Sequence, residues 1–193
     1  MRTVKKTALI LVAFIITVLA IAAFLPDHYS INRSIEINAP AEIVFKQVGD
    51  FGTWKEWDPL SAKDPKAQQD ISGIPCQVGH ARHFKGSETG EGTIRIAECH
   101  PFTLIANRIE MVEPASLQVD DIWAFETTEN GTLVNWTSKG SLNYPLGRLY
   151  GLMINQVLGG EMEAGLDSLK TYTESMIIAP VADPKELLIE EGL

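Results

Sequence analysis

The feature that most constrains the fold is the segment 31–59, which reads as a strand, a helix and a second short helix in one unbroken unit. Apolar and polar residues alternate over residues 29–37, as is typical of a half-buried strand. Pro40 favours a helix start because its φ is already near the helical value and its missing N–H is not needed in the first turn. Trp54 and Trp57 then lie three residues apart, on one face of the second short helix.

A long apolar segment precedes this unit. Residues 8–25 contain a single polar residue and follow three basic residues in the segment 1–7. This is about the shortest run that crosses a bilayer as a helix, and the basic flank favours a cytoplasmic N-terminus with the domain outside. A cleaved signal peptide is the alternative, because residues 20–22 fit a small-x-small cleavage site. The apolar run continues to Leu25, which favours an uncleaved transmembrane anchor over residues 8–25, and both alternatives export the domain.

Residues 70–143 contain strand-like runs separated by turn signals, such as the glycine-rich segment 86–92 and the pair Asn130-Gly131. This pattern predicts an antiparallel meander without crossover helices. A long helix is then predicted from about Leu146 to Met176. Its apolar positions are mostly three or four residues apart: Leu149, Met153, Val157, Met162, Leu166, Leu169 and Tyr172. One step, across Gly159-Gly160, has five residues. At these glycines we expect close approach of the sheet or a local kink.

The order of these elements predicts an α+β, helix-grip fold. A sheet that is apolar on one face must cover that face, and only the long helix is large enough to do so. We therefore expect a curved antiparallel sheet wrapped around a long C-terminal helix. This domain spans residues 29–177 and is followed by an acidic tail, residues 178–193.

Several motifs resemble the superfamily that unites START lipid-transfer domains, aromatic polyketide cyclases and the birch pollen allergen, abbreviated SRPBCC. They are Arg33-Ser34-Ile35, Ala39-Pro40, Trp54-x-x-Trp57-x-Pro59, Phe84-Lys85-Gly86, Gly90-Glu91-Gly92-Thr93 and Glu163-x-Gly165-Leu166-x-x-Leu169-Lys170. The chain is most similar to membrane-anchored bacterial members described as polyketide cyclase or dehydrase and lipid-transport proteins. The resemblance covers about residues 29–175. It implies a helix-grip cavity but no particular reaction, because fold alone does not determine chemistry.

A cavity between the sheet and the long helix is the predicted site, because such a gap binds apolar molecules where side chains do not fill it. The alternative for each residue is that it packs the core. The predicted ligand-binding residues are Trp54, Trp57, Phe84, Asp121, Trp123, Phe125, Trp136, Met153 and Val157.

Asp121 is the odd member of an otherwise apolar strand face. A buried carboxylate needs a partner or becomes neutral. Arg82, Asn107 or Arg108 are candidate partners, and a structural ion pair or a strand bulge that exposes Asp121 is the favoured interpretation. The alternatives are a polar anchor for a ligand and an acid/base group.

No metal site or cofactor is predicted. His80 and His83 lie three apart on a strand, as Cys99 and His100 lie one apart, so each pair points to opposite faces and the four cannot bind one ion. A four-residue turn at 86–89 would set Cys76 opposite Cys99, which leaves a disulfide open.

Three functions compete. The leading hypothesis is a membrane-anchored, extracytoplasmic binding module for a hydrophobic small molecule or lipid, with the N-terminal helix as its contact to the membrane. The second is a cyclase, dehydrase or hydrolase that uses Asp121 as acid/base group, and the third is a structural protein that binds a protein partner. Nucleic-acid binding is excluded, because a net charge of −9 repels phosphate backbones.

Overall fold

The N-terminal apolar segment forms a separate helix. The computed structural model describes residues 2–114 and 116–178, so the predicted acidic tail lies outside the described residues apart from its first position. Helix α1, Arg2–Phe24, begins earlier than the apolar run. Within it Val4–Phe24 is long and apolar enough to cross a membrane.

Seven antiparallel strands form one sheet in the order β1-β7-β6-β5-β4-β3-β2. With helix α4, Leu146–Ile178, on one face, the predicted α+β helix-grip architecture is confirmed. The strands are β1 His28–Ile37, β2 Gln68–Ser72, β3 Ala81–Gly86, β4 Gly90–His100, β5 Leu104–Glu113, β6 Leu117–Thr127 and β7 Thr132–Ser141. Sequence patterning misses β2, because all five of its residues are exposed and none alternates with a buried one.

The unit after β1 folds as predicted through its first helix, whereas the second predicted helix is only a 3-10 turn that ends before Trp57 and is followed by an unpredicted helix. Helix α2, Ala41–Gly49, follows Pro40, and a 3-10 turn, Trp54–Glu56, carries the first tryptophan. Helix α3, Pro59–Lys63, is capped by the Asp58 carboxylate, which accepts hydrogen bonds from the backbone N–H groups of Leu60 and Ser61. This cap fixes a short helix at the rim of the sheet.

Helix α4 presents different faces along its length. Met162, Leu166 and Leu169 are buried against the sheet, whereas Met153 and Val157 are exposed. Five residues rotate the helix by about 140° beyond one full turn, so the five-residue step in the sequence marks a change of face. A Cβ at Gly159 would overlap the guanidinium of Arg33, which confirms the expected close approach from the sheet at this glycine but not at Gly160, where space is open.

The β3–β4 hairpin corrects the predicted turn. Gly86 pairs with Gly90, so the turn has three residues rather than four and the register moves by one. Phe84 therefore lies on the same face as Ile94, both of them buried. Cys76 and Cys99 are free thiols, and the Cys99 thiol donates a hydrogen bond of 2.9 Å to the Cys76 carbonyl.

Candidate ligand-binding cavity

A cavity of about 840 Å³ lies between the sheet, α4 and α3. Seven of the nine predicted residues border it: Trp54, Trp57, Phe84, Asp121, Trp123, Trp136 and Val157. The structure places the other two elsewhere. Phe125 packs edge-to-face on Phe45 with ring centroids 5.5 Å apart, and Met153 is exposed on α4. The interior is therefore not filled by side chains.

Tryptophan rings form one wall of this cavity. Trp123 and Trp136 are directly opposite in the β6–β7 register, and their rings stack with centroids 4.2 Å apart. Trp57 meets Trp123 edge-to-face at 6.0 Å, and Trp54 lies 5.1 Å from Trp57. Stacked and edge-to-face pairs of this kind are favourable arrangements of aromatic rings, so the wall is well packed.

Several further lining residues were not predicted. They lie on strands β1 and β4 to β7 or on α3 and α4, and they include Tyr29, Leu60, Ile94, Ile109, Met111, Val119, Ser138, Gly160 and Ala164. Strand parity identifies Val119 and Ser138, since each lies two residues from a predicted member of its strand, whereas β4, which carries Ile94, holds no predicted member. The lining residues on α3 can be identified only from the tertiary structure, because strand parity says nothing about them.

Asp121 has no cationic partner among the described residues, so the predicted ion pair is wrong. Arg82 binds Asp58, and the Arg108 guanidinium donates to Asp120 at 3.1 Å. Asn107 is opposite Asp121 in the β5–β6 register but makes no side-chain hydrogen bond to it.

Burial raises the pKa of Asp121 to about 6. The nearby Ser138 hydroxyl and Trp136 indole lower this pKa, but the loss of water around the carboxyl group has the larger effect. The Oδ1 atom of Asp121 has no hydrogen-bond partner in the described part of the chain. A carboxyl group with this pKa is largely protonated below pH 6 and can then donate a hydrogen bond.

Three indole N–H groups around the cavity are also without a partner within residues 2–114 and 116–178. They belong to Trp57, Trp123 and Trp136. Trp54 differs, because its indole donates to the Val48 carbonyl at 3.0 Å. Buried donors are normally satisfied, so these three groups are exceptions concentrated around one cavity.

A second carboxyl group, that of Asp58, borders the cavity and is fully paired. Arg82 donates to Asp58 Oδ2 at 2.9 Å and to the Ser61 hydroxyl at 2.8 Å, and its guanidinium lies 5.7 Å from the centre of the Trp54 ring. The cluster ties α3 to β3. It positions one rim of the cavity.

His80 has a structural role in the loop that precedes β3. Its Nδ1–H donates to the Ser72 carbonyl at 2.9 Å, and its Nε2 accepts from the Phe51 backbone N–H at 3.1 Å. The ring also stacks on Phe51 at 4.7 Å. In the portion of the chain that the structure describes, no three His, Cys, Asp or Glu side chains are placed to hold a metal ion.

Residues 28–174 match the sequence profile of the family described as polyketide cyclase/dehydrase and lipid transport. The chain belongs to this family. The match covers β1 to α4 and confirms the resemblance drawn from the sequence motifs. No curated protein sequence matches the chain significantly.

Solved structures support the same fold for this family member. An uncharacterized protein from Rhizobium leguminosarum aligns with a TM-score of 0.59 and 16% identity, over 77% of this chain and 96% of its own. A protein of unknown function from Staphylococcus aureus gives 0.61 and 10%, over 78% and 96%. The di-domain ARO/CYC StfQ from the steffimycin biosynthetic pathway gives 0.61 and 11%, over 78% and 52%. At such identities the likeness shows the fold alone.

Proposed function

We propose that this family member is a membrane-anchored, extracytoplasmic module that binds a hydrophobic small molecule or lipid. The observation that carries the proposal is the cavity of about 840 Å³, with its wall of tryptophans around the unpaired carboxyl group of Asp121. Pockets for small molecules are mostly apolar with a few convergent polar groups, as here. The family description, which includes lipid transport, points the same way.

The polar groups define the kind of ligand. The indole N–H groups of Trp57, Trp123 and Trp136 are donors, and Asp121 becomes a donor when protonated. A molecule with an apolar body and a carbonyl, carboxyl or other oxygen acceptor at one end satisfies these groups. Because the pKa of Asp121 is about 6, binding of such an acceptor strengthens as the pH falls through 6.

The membrane setting follows from α1 and its short connection to the domain. Three basic residues precede the apolar part of α1, which favours a cytoplasmic N-terminus and an exported domain. Residues 25–27 separate α1 from β1, and three residues reach about 10 Å when fully extended. This tether keeps the cavity close to the bilayer.

Ligand binding is tested with the full chain in detergent, after its lipids have been removed. A fluorescent fatty-acid analogue is titrated into the wild type, Ala164→Trp and Thr171→Trp. Ala164 borders the cavity, whereas Thr171 is exposed on the same helix away from it, so the two changes add the same ring at different places. We expect binding to the wild type and Thr171→Trp, and loss of binding in Ala164→Trp. Equal binding by all three would reject this cavity as the site.

Acid–base catalysis is the second candidate, because Asp121 combines burial in a cavity with a pKa of about 6. A protonated Asp121 can deliver its proton to an oxygen of the bound molecule. The test incubates the molecule that co-purifies with the protein with fresh wild type and with Asp121→Asn, and follows its mass. Conversion by the wild type alone favours catalysis, and an unchanged mass with both proteins favours binding.

A further inference from the structure

The first part of α4 carries an exposed apolar stripe. Leu146, Tyr150, Met153 and Val157 follow one another at spacings of four, three and four residues, which places them on one face of the helix. Their exposed fractions are 76%, 51%, 59% and 41%. The opposite side of this part of the helix is packed, with Ile154 buried against Ile31 and Leu142. The stripe is therefore not needed for the domain's own core.

The charge around this stripe differs from the rest of the molecule. The sequence contains no acidic residue between Glu129 and Glu161, although the chain has a net charge of −9. Arg148 is the single charged residue of α4 before Glu161, and acidic residues then recur along the remainder of the helix. Asp27, in the connection after α1, is the carboxylate whose charge interacts with Arg148. An apolar helix face with one cationic side chain and no carboxylate of its own before Glu161 fits the lipid interface better than a water-facing surface.

Two hydrogen bonds join this region to α1. The Tyr144 hydroxyl donates to the Leu19 carbonyl at 3.2 Å, and the Arg148 guanidinium donates to the Ala23 carbonyl at 3.0 Å. Leu19 precedes the last residue of α1 by five positions, or about 7.5 Å along the helix axis. If α1 crosses a bilayer and ends at its outer surface, Tyr144 and Arg148 lie at the depth of the headgroups.

We propose that the stripe Leu146–Tyr150–Met153–Val157 lies in the outer interface of the same bilayer that α1 crosses. The inference rests on the membrane setting given under the proposed function, and its occupant is the lipid bilayer. Tyr144 and Tyr150 have the amphipathic rings that favour this interface. The Arg148 side chain lies over the Tyr144 ring at 5.8 Å and keeps its charge near the headgroups.

The same face of α4 continues into the cavity. Val157, Gly160, Ala164 and Ser168 follow the stripe at helical spacing, and all four border the cavity. A stripe in contact with lipid therefore leads directly to the cavity, and among the described residues of α4 Glu161 is the one charged residue that borders it. A hydrophobic ligand can enter from the bilayer along α4 rather than through water.

Photo-crosslinking of the full chain in phosphatidylcholine vesicles tests this surface. Benzoylphenylalanine replaces Tyr150 or Met153 in the stripe, and Asp167 or Thr171 as matched exposed positions on the same helix. Phe14 within α1 provides the positive control for contact with lipid. Circular dichroism checks that each variant is folded. We expect lipid adducts, measured by mass spectrometry, at positions 14, 150 and 153, with yields at 167 and 171 several-fold lower.

The possible outcomes separate the alternatives. Lipid adducts at position 14 without any at 150 and 153 overturn the proposal. Adducts between two chains at 150 assign the stripe to a second copy instead, and adducts within one chain show that its own residues cover it. Lipid adducts do not depend on whether the cavity holds a ligand. The stripe is therefore confirmed by adducts even if the fatty-acid analogue fails to bind. Binding of the analogue without lipid adducts at 150 and 153 supports the cavity and overturns the stripe.

Discussion

Two carboxyl groups border the same cavity and have opposite surroundings. Asp58 is bound by the Arg82 guanidinium and caps α3. Asp121 lies on the sheet without a cationic partner in the described part of the chain, and burial raises its pKa to about 6. The Asp58 carboxylate accepts hydrogen bonds from a cation and from backbone N–H groups, whereas the Oδ1 atom of Asp121 has no hydrogen-bond partner among the described residues. Asp58 maintains the rim of the cavity, and under the proposed function Asp121 meets the molecule that enters it.

Breaking the paired group should have the largest effect. Arg82→Met leaves the Asp58 carboxylate buried without its cation, and we expect the free energy of unfolding to fall by about 3–5 kcal/mol. The exposed Arg95 on the next strand supplies the control, because Arg95→Met should change stability by less than about 0.5 kcal/mol. Chemical denaturation of the detergent-solubilised chain measures both. A small effect of Arg82→Met would remove the contrast between the two carboxyl groups.

Neutralising the unpaired group should stabilise the protein. The native pKa of Asp121 is raised from 3.8 to about 6, so the native state holds the proton more tightly than the unfolded chain, and stability decreases as the pH rises through this range. Asp121→Asn removes this penalty and should raise the free energy of unfolding by about 3 kcal/mol at most above pH 7. The gain should disappear below about pH 4.

Asp120→Asn is the neighbouring control for this prediction. Asp120 is half-exposed and pairs with Arg108 at 3.1 Å, so its loss should cost less than about 1 kcal/mol. Thermal denaturation from pH 4 to pH 8 compares the two variants. If Asp121→Asn is less stable than the wild type at pH 7.5, the Asp121 carboxylate is stabilised by a partner, and its description as an unpaired group is wrong.

The satisfied and unsatisfied indole groups provide a smaller contrast. Trp54→Phe leaves the buried Val48 carbonyl without its donor and should cost about 1–2 kcal/mol. Trp136→Phe removes no hydrogen bond to the backbone, so it should cost less stability than Trp54→Phe, while it weakens ligand binding. Denaturation and titration with the fluorescent fatty-acid analogue are measured on both variants. Equal losses of stability would contradict the assignment of Trp136 to the ligand.

Local patterns predicted most of the fold. The alternation before Pro40, the Asn130-Gly131 turn and the long C-terminal helix each depend on neighbouring residues, and all three appear as predicted. Strand β2 is missing from the prediction because an exposed edge strand needs no apolar residues. The register of the β3–β4 hairpin was one residue off, because glycines at both ends of the turn fit either length.

The cavity was predicted less completely than the fold. Parity placed Trp123, Trp136 and Asp121 on the correct face, since side-chain direction along a strand has a period of two. The partner of Arg82 is 24 positions away on another element, so the sequence could not identify Asp58. Met153 and Val157 were assigned to one stripe with Met162, although the five-residue step places them on a different face of α4.

Native mass spectrometry of the full chain extracted from its own membrane tests the central claim most directly. The wild type and Thr171→Trp should each release one apolar molecule that bears an oxygen acceptor, and Ala164→Trp should carry none, because its added ring occupies the cavity. If all three proteins show only the mass of the bare chain, or if Ala164→Trp retains the same molecule, the cavity around Asp121 is not a ligand-binding site.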